Sequence, residues 1–334
     1  MPFSLPRVSV LLPVRNEAPR LARALRSLQR QRLTDWECVI VDDGSTDGSR
    51  QIAERFAQAD ERFVVSAQAH GGLVSALNRG LEQCRAPVVA RMDGDDACHR
   101  DRLAAQLAWL SAHPDIDVVS CFVRLFPRRV LRVGLLRYEA WLNSLITPER
   151  IAADFFVESP VAHPSVMMRR AALIAAGGYI DNGWPEDYDL FLRLHLRGAR
   201  FAKVPQTLFF WCERAERYTR TSPVCSVDAI IRCKLAHLRA QVPGAVALRG
   251  GGPTGRQLMR RMRTLGWDVQ RIVDVDPDRI GQRIDGIPVV STDDETARRL
   301  PLLVAVGVAG AREQIRAELS AQGRVEGRDH WFLA

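Results

Sequence analysis

Residues 88–96 read Val-Val-Ala-Arg-Met-Asp-Gly-Asp-Asp, an apolar run that ends directly in a cluster of carboxylates. The β-branched start predicts a short buried strand over residues 88–90, and the turn after it holds Asp93, Asp95 and Asp96 close together. Carboxylate oxygens suit Mg²⁺ or Mn²⁺, which proteins commonly share with the phosphates of a substrate. The alternative is an ordinary turn whose acids cap the next helix. This stretch by itself leaves both interpretations open.

Apolar runs of the same kind recur on both sides of this stretch and alternate with segments of helical spacing. The predicted strands cover residues 8–12, 37–41, 63–65, 88–90 and 118–123. The segments between them carry apolar residues three or four positions apart, as in Leu21, Leu25 and Leu28. Such spacing predicts amphipathic helices. The alternation therefore predicts an α/β fold with a mostly parallel sheet covered by helices on both faces.

A second acidic turn, Asp42-Asp43-Gly44-Ser45, follows the second predicted strand. Ligands of open parallel sheets bind beyond the carboxyl ends of the strands, so this turn and residues 93–96 are expected to face one crevice. Asp43 is the better candidate to accept a hydrogen bond from a base N–H or a ribose hydroxyl. The alternative is a helix-capping turn, and both interpretations can hold together.

A third acidic segment is Trp184-Pro185-Glu186-Asp187-Tyr188-Asp189, which opens a helical pattern. A carboxylate at a helix start beside a bound substrate can take the proton of an attacking hydroxyl, and Asp187 is the candidate for that base. Acids in a first turn also stabilise a helix without any catalytic role, so this segment alone does not decide the function.

Taken in order, these segments resemble the family 2 glycosyltransferases, which have the GT-A fold, over about residues 7–215. The resemblance rests on residues 8–17 (VSVLLPVRNE), 41–48 (VDDGSTDG), 93–96 (DGDD) with 101–103 (DRL), and 186–190 (EDYDL). It departs from the family at Arg15, where many members have an aromatic residue, and at Arg100, where a proline is common.

The resemblance implies a role for each matching residue and a reaction for the whole chain. The implied reaction transfers a sugar from a nucleotide diphosphate, most often UDP, to a glycan, lipid-linked or protein hydroxyl with inversion at the anomeric carbon. The implied contacts to the nucleotide sugar are Pro13, Val14, Glu17, Asp43, Asp93 and His163. The implied ligands of Mn²⁺ or Mg²⁺ are Asp93 and Asp95, and the acid pair Glu186 and Asp187 supplies the base. A structural role for His163 is the alternative.

Charge and hydropathy indicate whether nucleic acids or membranes are expected as partners. The formal net charge is +8, carried almost wholly by arginines scattered among acids, since Lys203 and Lys234 are the only lysines. This pattern does not predict nucleic-acid binding, although anionic lipid head groups remain compatible with it. No apolar stretch has the length of a membrane span. We therefore expect a cytoplasmic protein and leave open a peripheral association with the inner face of the membrane. The oligomeric state is open.

The carboxyl-terminal part predicts a second domain. We expect a transferase domain over residues 1–242, with a donor half at about 7–125 and an acceptor half at about 126–242, and a small Rossmann-like domain over 243–334. Residues 250–255 (GGGPTG) match the G-x-G-x-x-G pattern between a predicted strand and helix. We expect an interaction or regulatory module. The alternatives are an NAD(P)-dependent sugar-nucleotide oxidoreductase led by this domain, and a non-catalytic sugar-nucleotide sensor.

Overall fold

The computed structural model describes residues 5–308 and 310–334, which form two compact units. One unit comprises the described residues up to Ala152 together with Pro160–Cys225, and the other comprises Ala153–Ser159 together with Ser226–Ala334. The helix before residue 243 thus groups with the second unit. The division into domains at residue 243 stays a prediction.

Up to residue 126, strands and helices alternate as the sequence predicts, apart from an additional two-residue strand at Ala97–Cys98. The strands of the first unit are β1 (Val8–Val14), β2 (Trp36–Asp43), β3 (Phe63–Gln68), β4 (Val88–Arg91), β5 (Ala97–Cys98), β6 (Val118–Phe126), β7 (Met167–Arg169) and β8 (Phe201–Cys212). The helices up to residue 225 are α1 (Ala18–Gln29), α2 (Ser49–Ala59), α3 (Leu73–Gln83), α4 (Arg102–Ala112), α5 (Val133–Ser144), α6 (Pro148–Asp154), α7 (Arg170–Ala175), α8 (Glu186–Leu196) and α9 (Tyr218–Thr221).

The sheet of this unit has the order β3-β2-β1-β4-β7-β6-β8-β5. Strands β3, β2, β1 and β4 run parallel, whereas β7 pairs antiparallel with both β4 and β6. Every residue of β1 and β2 is buried, as expected for parallel strands covered by helices on both faces. The carboxyl ends of β1, β2 and β4 therefore meet at one edge, where the first two acidic segments lie.

A buried network of hydrogen bonds holds β4, the strand that precedes the acidic turn. The side chain of Arg102 in α4 donates from Nη2 to the carbonyl of Arg91 at 2.8 Å. Gln106, one turn further along, donates from Nε2 to the carbonyl of Ser165 at 2.8 Å. Both side chains are fully buried, so these bonds form away from competing water. The network holds β4 and the segment before β7 in a fixed relation.

The second unit contains its own sheet, of order β11-β12-β10-β9-β13-β14. Its strands are β9 (Ala245–Arg249), β10 (Asp268–Val273), β11 (Arg283–Ile284), β12 (Ile287–Val290), β13 (Leu302–Val304) and β14 (His330–Phe332), and its helices are α10 (Val227–Arg239), α11 (Pro253–Thr264), α12 (Glu295–Arg299) and α13 (Ala311–Ala321). All pairs are parallel except the β11–β12 hairpin. The parallel strands follow the Rossmann order, with the switch point between β9 and β13. Among the described residues of the chain, no helix is long and apolar enough to cross a membrane.

The glycine turn of the second unit lies between β9 and α11, as predicted. Gly250 has φ +118°, a conformation that favours glycine, and the N–H of Gly251 donates to Asp274 Oδ2 at 2.7 Å. A Cβ at Gly255 would lie 1.7 Å from the carbonyl oxygen of Gly250. Backbone conformation thus accounts for Gly250 and the close packing of α11 on the turn accounts for Gly255 without a ligand, and dinucleotide binding remains an untested alternative.

This close approach leads to a stability prediction. Gly255→Ala is expected to destabilise the protein by about 3 kcal/mol, because a backbone carbonyl must shift to admit the methyl group. Gly252→Ala is the matched control, since its Cβ meets no atom within 4 Å and its φ is −73°; its effect should stay within about 0.5 kcal/mol. Denaturant unfolding of the full chain measures both. Equal stability of the two variants would contradict the packing described.

Candidate active site

Three carboxylates cluster in the turn after β4. Asp93, Asp95 and Asp96 each offer an oxygen atom, and these atoms lie within 4.8 Å of one another. Asp96 is fully buried. Burial, together with the negative charges of Asp93 and Asp95, raises the pKa of Asp96 well above its usual value. Repulsion of this kind is relieved by a bound cation.

Main-chain and side-chain contacts fix the geometry of this cluster. Arg91 Nη2 lies 2.7 Å from Asp93 Oδ1, and the N–H of Cys212 at the end of β8 donates to Asp96 Oδ1 at 2.7 Å. Arg23 in α1 donates to the carbonyl of Asp95 at 2.5 Å. The turn packs against β1, since a Cβ at Gly94 would lie 3.4 Å from Val14 Cγ2, an ordinary van der Waals distance. Contacts within the protein therefore hold the carboxylates of Asp93 and Asp96 and the main chain of Asp95.

The donor set fits a hard divalent cation. Asp96 Oδ2 is buried and accepts no hydrogen bond from any described residue, and Glu17 Oε2 has only an ion pair with Arg20 Nη1 at 3.6 Å. Buried oxygens without partners are costly, and a cation is one group that satisfies them. The available ligand atoms are all carboxylate oxygens, as Mg²⁺ and Mn²⁺ prefer. The assignment of Asp93 and Asp95 as the ligands remains a prediction.

Arg214 is a site residue that the sequence did not reveal. Its Nε lies 3.0 Å from Asp95 Oδ2, and its Nη2 contacts Glu17 Oε1. Burial and the charge of Asp95 raise the pKa of Glu17 to about 7, although Arg214 opposes this shift. Arg214 thus neutralises part of the cluster. It lies in an irregular segment after β8 with no recognisable pattern around it, so only the fold brings it to the turn.

Asp43 lies at the same sheet edge, and other residues of the chain donate hydrogen bonds to both of its oxygens. Its two oxygens accept four hydrogen bonds, from Gln68 Nε2 (2.8 Å), His70 Nδ1 (2.8 Å), and the N–H groups of Gly71 (2.7 Å) and Gly72 (3.0 Å). Burial alone would raise the pKa of Asp43, but these bonds hold it below its usual value. Four donors fill the lone pairs of a carboxylate. In this structure Asp43 orders residues 68–72, and a nucleotide contact would have to displace one donor.

The neighbouring Asp42 has an oxygen that accepts no hydrogen bond from the described part of the chain, whereas both oxygens of Asp43 accept hydrogen bonds. Asp42 is 3% exposed, and its Oδ1 has no hydrogen-bond partner among the described residues. It pairs in register with Val14, the last residue of β1, and Pro13 pairs with Val41. The predicted nucleotide contacts Pro13 and Val14 therefore lie beside Asp42. The sequence offered both aspartates, and the hydrogen-bond partners that distinguish them come from a distant segment.

The late acid pair opens α8 and is packed against His163. Glu186 is buried and lies 3.7 Å from His163 Nδ1, while His163 Nε2 is 3.1 Å from the hydroxyl of Tyr179. Burial lowers the pKa of His163 well below its usual value, so the ring is neutral. His163 thus contacts Glu186 directly. Its predicted contact with the nucleotide sugar remains untested.

The two acids of this pair have different environments. Desolvation followed by the charge of Asp187 raises the pKa of Glu186 to about 8, and desolvation raises that of Asp187 to about 6. Asp187 is only partly buried, whereas Glu186 is 7% exposed. At neutral pH one proton therefore resides on Glu186, and Asp187 is the ionised, more accessible carboxylate. This is the arrangement that a general base requires.

Arg91 links the acidic turn to the acid pair. Its side chain is 2% exposed and holds Asp93, and its positive charge also lowers the pKa of both Glu186 and Asp187. The negative charge of Asp93 acts on the same two acids in the opposite direction. The carboxylate cluster of the turn and the candidate base thus share one electrostatic environment. The sequence contains one indication of this link, because Arg91 lies in a predicted buried strand and a buried positive charge requires acidic partners.

The structure thus brings a cluster of carboxylates and a buried acid pair together with Arg91 at the carboxyl edge of a mostly parallel sheet. A family model described as "Glycosyl transferase family 2" matches residues 9–177, half of the chain. The chain therefore belongs to that family and is a glycosyltransferase. The predicted GT-A fold with an additional carboxyl-terminal unit is confirmed.

Similar proteins agree with this assignment. The "Amylovoran biosynthesis glycosyltransferase AmsE" of Erwinia amylovora is 34% identical over 203 residues, which cover 60% of this chain and 74% of that protein. The "UDP-Gal:alpha-D-GlcNAc-diphosphoundecaprenol beta-1,3-galactosyltransferase" of Escherichia coli is 25% identical over 206 residues, 61% of this chain and 73% of that protein. TarS of S. aureus, solved with UDP-GlcNAc, has a TM-score of 0.54 at 20% identity and covers 70% of this chain and 66% of its own. The similarity to TarS concerns the fold.

Proposed function

We propose that the protein is an inverting, cation-dependent glycosyltransferase that uses a UDP-sugar and an acceptor hydroxyl of a glycan or lipid-linked saccharide. The single observation that carries the proposal is the shared environment of Asp93 and Asp187 around buried Arg91. It supports a turn that binds a cation close to a carboxylate that acts as the base, as a direct displacement requires. The name of the E. coli relative supports a lipid-linked acceptor.

The reaction balances with the groups present. The acceptor oxygen forms a bond to the anomeric carbon while the bond from that carbon to the diphosphate oxygen breaks, and its electron pair leaves with the nucleotide diphosphate. The acceptor proton passes to Asp187. Glu186, protonated at neutral pH, leaves that carboxylate without a second charge beside it. A bound Mn²⁺ or Mg²⁺ would stabilise the charge of the departing diphosphate. Asp93 and Asp95 would hold that ion, and Arg91 orients Asp93.

A panel of sugar nucleotides tests this proposal. Unfolding temperature is measured with UDP-, GDP- and dTDP-sugars, each with Mn²⁺ and with a chelator, and donor hydrolysis is then followed for those that bind. We expect cation-dependent stabilisation by at least one UDP-sugar, because a ligand that binds the native state raises its stability. The absence of any shift across the panel would refute the proposal. Binding with neither hydrolysis nor transfer would favour the sensor alternative.

A further inference from the structure

An exposed arginine-rich segment follows β6 in the first unit. Residues 128–137 read Arg-Arg-Val-Leu-Arg-Val-Gly-Leu-Leu-Arg and contain no acidic residue. Two of its apolar side chains face solvent, with Val130 51% and Val133 64% exposed. We call residues 128–137 the basic-apolar surface. Exposed aliphatic side chains interleaved with basic ones are the combination found in segments that lie on a membrane surface.

The positive charge of this surface is largely uncompensated. Arg128 forms an ion pair with Glu139 at 2.7 Å. Arg129, Arg132 and Arg137 are exposed, and none of them has an ion pair with a residue in the described part of the chain. Exposed arginines elsewhere commonly have such a partner, for example Arg50 with Glu54 at 2.8 Å. The surface therefore presents a local excess of positive charge to solvent.

The basic-apolar surface is rigidly attached near the candidate active site. Asn143 in α5 both accepts a hydrogen bond from Val123 N and donates one to Val123 O, each at 2.9 Å. Phe126, the last residue of β6, pairs in register with Cys212, whose N–H holds Asp96. The surface thus begins at the sheet edge that carries the acidic turn, within the same unit.

We propose that the basic-apolar surface docks this glycosyltransferase onto an anionic lipid bilayer. Arginines attract acidic head groups, and exposed aliphatic side chains gain by entering the boundary between head groups and acyl chains. The valines favour a bilayer over a nucleic acid, since phosphate contacts alone would leave them in water. Docking at this edge brings the crevice close to acceptors carried by lipids. The docking itself does not depend on the proposed reaction.

Vesicle co-sedimentation without any nucleotide sugar tests the charge requirement. The full chain is expected to bind vesicles that contain phosphatidylglycerol and to bind pure phosphatidylcholine vesicles far more weakly. R129E/R132E/R137E should lose at least about 100-fold in affinity, given the contribution of each basic side chain near such a surface. The matched control is R26E/R30E/R55E, which reverses three exposed arginines of the same unit outside the surface. Equal losses in both variants would overturn the proposal.

The apolar requirement separates a bilayer from a soluble polyanion. V130S/V133S keeps every charge and is expected to weaken vesicle binding about tenfold. If this variant binds vesicles like the wild type, and duplex DNA competes fully, the surface is a general polyanion site and docking on a bilayer is refuted. Unchanged stabilisation of all variants by donor and Mn²⁺ would show that they fold. A failure of vesicle binding with donor binding intact would refute the docking proposal alone.

Discussion

Asp95→Ala is expected to abolish cation-dependent donor binding and to reduce kcat/KM by at least about 1,000-fold, since electrostatic stabilisation of the leaving group is among the largest contributions to catalysis. Asp95 lies in the acidic turn with Asp93 and Asp96, and Arg214 is its charge partner. The measurement is the Mn²⁺-dependent rise in unfolding temperature with the UDP-sugar found in the panel, followed by transfer kinetics.

The same substitution should not destabilise the protein when no ligand is bound. Removing the Asp95 charge relieves repulsion on Asp96 and on Glu17, and Arg214 keeps its contact with Glu17. We therefore expect an unfolding temperature equal to that of the wild type or slightly higher. Asp115→Ala, which removes an exposed carboxylate outside the turn, is the control for donor binding. Retained Mn²⁺-dependent binding by Asp95→Ala would contradict the cation site, and a large loss of stability would indicate a structural role.

The elements that could be predicted from sequence are those whose cause is local. Apolar runs predict the strands, and the spacing of leucines predicts the helices. The carboxylates of the turn after β4 lie in one short stretch of chain and can be read directly. Arg214 could not be predicted, because its contacts with Glu17 and Asp95 join segments far apart in sequence. The four donors of Asp43 likewise come from residues 68–72. Only the fold shows that both oxygens of this carboxylate already accept hydrogen bonds.

The acid pair also combines a feature that the sequence predicts with one that only the fold creates. The sequence places Glu186 and Asp187 in the first turn of a helix, but it treats them almost alike. Their difference comes from packing, which buries Glu186 against His163 and leaves Asp187 partly exposed. Arg91 and Asp93 reach both acids from another strand. Adjacent carboxylates thus acquire different protonation states from neighbours that no local pattern specifies.

Asp187→Asn is expected to retain donor binding and to reduce kcat by about 100- to 10,000-fold, the usual contribution of a general base. Glu186→Gln is the matched control, because the amide resembles the protonated acid that Glu186 already is at neutral pH, so its effect there should be small. The base acts in its ionised form, and the pKa of Asp187 is raised to about 6. Wild-type activity should therefore rise with pH through about 6, and the residual activity of Asp187→Asn should lack that rise. If Glu186→Gln abolishes transfer while Asp187→Asn does not, Glu186 is the base and the assignment is reversed.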